Sequence, residues 1–126
     1  MRVFKVKVFA RFQRREKITD EVLEKTIREA ERGLIEADLG DGLIKQRVAR
    51  PGQGKRSSYR TVIVYRRGDL AVYLLGFAKK DQANIDEDEL ETLKGQARTF
   101  LKLNPTQFES AVAEDELVEI DYADEE

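Results

Sequence analysis

The sequence predicts an α+β domain in which a small, mainly antiparallel sheet packs with N-terminal helices and a C-terminal helix. Three observations predict it. An alternating stretch opens the chain at residues 3–10, and three further strand-like runs crowd the middle, at 43–49, 61–66 and 70–77. Helical stripes flank that central block, at 19–32 and from residue 86 onward. At 126 residues, 40% hydrophobic and 38% charged, the chain suits one domain with a single core.

In residues 3–10, Val3, Lys5 and Lys7 alternate with Phe4, Val6 and Val8, the pattern of a half-buried strand. A short helical turn is expected around residues 12–17. Residues 19–32 then carry Val22, Leu23, Ile27 and Ala30 as a helical stripe. Thr19 suits the N-cap, Asp20 and Glu21 suit the positive end of the helix dipole, and Gly33 offers a left-handed stop.

Residues 43–49 read as a strand with Lys45 and Arg47 on one face. Residues 50–58, RPGQGKRSS, read as a loop. The β-branched run 61–66 and the apolar run 70–77 are joined by Arg67-Gly68-Asp69, a hairpin signal. Asp86 opens the clearest helix: Glu89 stands at capping-box spacing, and Leu90, Leu93, Ala97, Phe100 and Leu101 line one face. Asn104-Pro105 starts a second, short helix. The expected organisation is therefore a main domain over residues 1–103, followed over 104–126 by the short helix and an acidic tail. That tail reads as a solubilising terminus, or as a polyanion mimic that folds back on the basic surface.

Charge is divided unevenly. Residues 1–80 hold 20 Lys and Arg against 10 Asp and Glu, whereas residues 81–126 hold 3 against 15. Residues 43–68 carry eight cations and no carboxylate: Lys45, Arg47, Arg50, Lys55, Arg56, Arg60, Arg66 and Arg67. Faces that merely solvate a protein mix their signs, because like charges held together repel. A basic stretch of this kind points to a polyanion, with nucleic acid first.

Composition excludes much else. The chain has no Cys and no His. That removes disulfides, thiolate nucleophiles, Ser-His and Cys-His catalysis and the usual zinc sites. No apolar run reaches the roughly 20 residues of a membrane helix, and no apolar segment follows the first charges as in a secretory signal. A cytoplasmic protein with no membrane contact is the expectation. Gly52-Gln53-Gly54-Lys55 is no nucleotide-binding P-loop: Ala49 stands where the first Gly belongs, Arg56 replaces Ser or Thr, and a strand follows instead of a helix. Among the aromatics, Tyr59 beside the loop is the candidate for stacking on bases, while Tyr65 and Phe77 read as core.

The run RVARPGQGKRSSYRTVIVY at 47–65, followed by YLLGFAKKDQANI at 73–85 and a Leu-rich helix, resembles the RelE toxin superfamily, and within it the HigB-like branch of bacterial type II toxin–antitoxin systems. The resemblance reaches from the first strand to about Leu101. It implies a RelE-like fold and a ribosome-dependent mRNA endonuclease that works in the ribosomal A site and is neutralised by a cognate antitoxin. It implies cleavage by the RNA's own 2′-hydroxyl, with no metal and no cofactor. Such chemistry needs the 2′-hydroxyl deprotonated, the pentavalent phosphate stabilised and the leaving 5′-oxygen protonated.

By that resemblance Lys45, Arg47, Arg60 and Lys80 are the catalytic cations, with Arg60 clamping the phosphate bidentately. Crowding by like charges favours a neutral amine, which suits Lys45 to take the 2′-hydroxyl proton. Arg50, Lys55, Arg56, Tyr59 and Lys79 are the expected RNA contacts. One departure stands out: several members place a Tyr or His after the second basic cluster, where this chain has Gln82-Ala83-Asn84-Ile85-Asp86. Two other readings fit the same basic surface: a non-catalytic RNA- or ribosome-binding module, and a toxin of the same fold acting on DNA gyrase.

Overall fold

The computed structural model describes residues 1–50, 58–78 and 84–123. The elements run β1 (Arg2–Val6), α1 (Lys7–Arg15), α2 (Asp20–Glu31), β2 (Ala37–Gly40), β3 (Leu43–Val48), β4 (Tyr59–Arg66), β5 (Leu70–Ala78), α3 (Glu87–Leu101), α4 (Pro105–Ala113) and β6 (Leu117–Ile120). The strands form one sheet in the order β2-β3-β4-β5-β1-β6. Only β1 and β5 pair parallel among them; the other neighbours are antiparallel. The α+β architecture is the expected one.

Both faces of the sheet are covered. On one, α1 and α2 bury Phe9, Leu23 and Ile27 against Val3, Ile63 and Tyr73. On the other, α3 and α4 bury Leu93, Ala97 and Phe108 against Phe4, Val62 and Val72. Phe4 and Phe108 stack at 4.8 Å. Burial from both sides explains why β1 shows Val3, Phe4 and Lys5 all buried instead of alternating. Lys5 is tolerated there because its Nζ donates to Gln13 Oε1 at 2.5 Å and to Asp20 Oδ1 at 3.0 Å.

The strand expected to reach residue 10 ends at Val6, and the expected short turn is a helix that starts at Lys7. Val8, assigned a buried place by alternation, is 54% exposed. The helical period wins because Phe9, Phe12 and Gln13 fall on one buried side. Gly76 admits this packing: a Cβ there would lie 2.4 Å from Phe12 Cε2.

The caps fall where the sequence puts them. Thr19 accepts from Val22 N–H, Asp86 accepts from Glu89 N–H, and Asn104 forms a capping box with Gln107 ahead of Pro105. Two strands go beyond the expected set. β2 is joined to β3 by Asp41-Gly42, a two-residue turn with φ of +54° and +80°. β6, within the acidic tail, pairs antiparallel with β1 and buries Leu117 and Ile120. That strand sits at the sheet edge opposite β2, so residues 117–120 do not fold back onto the basic strands. Among the described residues, no helix is long and apolar enough to cross a membrane.

Candidate functional site

The fold divides the cationic run. β3 and β4 pair with Lys45 opposite Val62, Arg47 opposite Arg60 and Val48 opposite Tyr59. Opposed residues share a face and successive residues switch it. Lys45, Arg47 and Arg60 therefore stand together on the face that carries Val62, and Tyr59 on the other. Opposed Cα atoms lie about 4.5–5.5 Å apart. Two unit charges about 5 Å apart repel by roughly 1–3 kcal/mol between bulk water and a protein surface, so this pairing needs a counter-charge.

Glu36, just ahead of β2, supplies it. Its Oε1 accepts from Arg47 Nε at 2.9 Å and lies 3.4 Å from Arg60 Nε. Gln46 fixes the backbone beneath: its Oε1 accepts from Glu36 N–H at 2.8 Å, and its Nε2 donates to Leu34 O at 2.9 Å. Gln46 is itself buried on the opposite face, so the register of β3 determines where Glu36 sits. Arg60 is held further by Ser58, whose Oγ accepts from Nη1 at 2.6 Å. The Arg60 side chain is 13% exposed and that of Arg47 53%. One guanidinium is thus fixed and the other open. Lys45 is half-buried, with no hydrogen bond or ion pair to another of the described residues.

Tyr59 corrects an expectation. It is 2% exposed, its hydroxyl donates to Glu16 Oε1 at 2.8 Å, and its ring meets Phe12 edge-on at 5.4 Å. Arg50 lies over the ring at 5.2 Å. Packed this way, Tyr59 presents no free face to a base; it is a core residue that anchors Arg50. The Tyr59 hydrogen bond holds the Glu16 carboxyl below the usual carboxylate range. Burial, then the bond to Glu16, pushes the Tyr59 phenol up.

Of the other expected RNA contacts, Arg50 is half-buried beside Tyr59. Lys55, Arg56, Lys79 and Lys80 lie outside the described residues. Two features were missed in the sequence. Glu36 is the first; no carboxylate falls within residues 43–68, and the segment just ahead of β2 brings this one to Arg47 and Arg60. The second is α1, whose exposed Arg11, Arg14 and Arg15 make its outer side cationic. Arg15 lies over Phe12 at 5.7 Å, next to the Tyr59–Arg50 pair. The helical spacing of Phe9, Phe12 and Gln13 was the signal for it.

The arrangement can bind an anion between two guanidiniums, and a carboxylate already occupies one edge of them. It can neutralise a phosphate and the charge that develops on it, with an amine nearby for proton transfer. Residues 1–120 match the family profile of the RelE toxin of the RelE/RelB toxin–antitoxin system. A search of curated proteins returned no match.

Proposed function

The chain belongs to the RelE toxin family of the RelE/RelB toxin–antitoxin system, and from that premise we propose that it is an mRNA endonuclease acting in the ribosomal A site. The observation that carries this reading is the cross-strand pair Arg47–Arg60, with Lys45 beside it on the same face. Strand-borne cations keep their geometry without reorganising as charge develops on the phosphate. Arg60 and Arg47 take the non-bridging oxygens, Lys45 accepts the 2′-hydroxyl proton, and the 2′-oxygen attacks phosphorus as the 5′-oxygen leaves. Lys80 is proposed to protonate that oxygen, and Lys55, Arg56 and Lys79 to hold RNA backbone. The ARPGQGK and GFAKKD segments support reading the chain as a member of the HigB-like branch. A cognate antitoxin would silence it, and a ribosomal target sets its action in the cytoplasm.

Adding the purified protein to a translating extract and mapping mRNA 5′ ends tests the proposal. New ends that depend on both the ribosome and Arg60 are expected. The burial of Tyr59, together with the absence of Tyr and His in residues 82–86, favours a second reading, a ribosome-binding module that does not cut. Co-sedimentation with ribosomes without new mRNA ends is the outcome that selects it.

A further inference from the structure

Glu36 contacts the two arginines by a particular edge. Both contacts run to Nε, and both use the same oxygen, Oε1. A guanidinium carries one N–H at Nε and four on its terminal nitrogens. Glu36 therefore takes the inner edge of each group. The Nη nitrogens of Arg47 and Nη2 of Arg60 have no hydrogen-bond partner among the described residues, and Arg60 Nη1 is turned to Ser58.

We propose that Glu36 is a positioning residue that joins Arg47 and Arg60 into one clamp, aiming their outer edges at the RNA phosphate. This rests on the proposed function. A carboxylate competing with RNA for the same nitrogens would oppose binding; one that holds only Nε leaves the phosphate-binding nitrogens available. Without it, two like charges in direct register swing apart, and Arg47, the more exposed, moves more. Ground-state RNA affinity changes little, since losing a negative charge near a polyanion offsets the lost order. The transition state, which needs both guanidiniums on one phosphate, suffers.

The test uses the full-length protein and its Glu36→Ala and Glu36→Asp variants. Ala retains the backbone N–H that binds Gln46, so folding is preserved, and a melting curve checks it. Affinity is measured on a 2′-O-methyl oligoribonucleotide, which cannot be cut, and turnover on mRNA in a translating extract. Glu36→Ala should keep its affinity within about threefold and lose cleavage about 10- to 100-fold, the scale of a misplaced catalytic group. Glu36→Asp should restore much of the rate. In the RNA-free protein, the Arg47 Nε–H resonance should be protected from exchange in wild type and lost in Glu36→Ala. Wild-type cleavage by Glu36→Ala overturns the inference, as does a joint loss of affinity and rate that Asp does not restore. If the wild-type protein cuts no mRNA, the proposed function fails while the resonance still decides: its persistence in Glu36→Ala overturns the clamp, and its loss upholds it.

Discussion

β4 carries an arginine at each end, and the two are held in opposite ways. Arg66, at the end where β4 turns into β5, donates from Nε to Asp69 Oδ2 at 2.5 Å and from Nη1 to Leu101 O at 3.1 Å. Its partners close a turn and a helix C-terminus, and its strand neighbours pair apolar to apolar, Leu43 with Val64. Arg60, at the other end, faces a second arginine and shares one carboxylate with it. Charge density along the sequence is similar at both ends. Register separates them: a cation with its own partner belongs to the scaffold, whereas two cations placed opposite each other are held against their repulsion for some other use.

The largest test of that contrast is Arg60→Ala. Removing one preorganised donor from a developing charge costs about 100- to 1,000-fold in rate, and mRNA cleavage in a translating extract should fall by that much with the melting temperature nearly unchanged. Wild-type cleavage by this variant would dissolve the distinction. Gly42→Ala is the counterpart at the closed end. Gly42 has φ of +80°, and a Cβ there would meet Leu101 Cδ1 at 2.6 Å. Overpacking and strain should cost about 1–3 kcal/mol of stability, read by denaturant unfolding, while cleavage per folded molecule stays at the wild-type level. A loss of cleavage beyond the unfolded fraction would show that the two ends are coupled.

Much of this contrast was legible in the sequence, and the part that was not has physical causes. The alternation that puts Lys45 beside Arg47 is a local property of a strand, and the caps at Thr19, Asp86 and Asn104 are local as well, so these were readable. The opposition of Arg47 to Arg60 was not, because the register of two strands depends on the hydrophobic pattern of both at once. Glu36 was hidden for a related reason. It lies outside the basic run, and β2 has only four residues, ADLG, with little strand propensity. The Asp41-Gly42 turn was its only strong signal. In β1 the error ran the other way: a buried strand passes directly into a helix whose first residues happen to alternate. In the sequence β6 reads as tail because four residues among many carboxylates carry little apolar weight, although Leu117 and Ile120 are both buried.

A smaller effect is expected at Tyr59, on the reverse face of the open end. Tyr59→Phe removes the hydrogen bond to Glu16 and should cost about 1 kcal/mol near neutral pH. Because that bond lowers the Glu16 carboxyl, its contribution is present above the carboxyl's unfolded-state range and is lost as acid protonates Glu16. The stability gap between Tyr59→Phe and wild type should therefore narrow as pH falls, seen in urea unfolding across a pH series. Cleavage should be unaltered. A variant that unfolds like wild type yet fails to cut would return Tyr59 to the site.

Arg66→Ala should change least. An exposed ion pair contributes about 0–1 kcal/mol and is screened by salt, so unfolding should shift within that range. The sharper measurement is the salt dependence of binding to single-stranded RNA. Each phosphate neutralised releases condensed counterions, and removing one contacting cation lowers the slope of log affinity against log salt by about 0.7 on a single strand. Arg47→Ala should show that decrease, because its terminal nitrogens face outward from the Glu36 contact. Arg66→Ala should leave the slope unchanged, because its nitrogens are already committed to Asp69 and Leu101. Equal decreases in the two variants would mean that RNA covers both ends of β4, and partner geometry would then no longer separate scaffold from site.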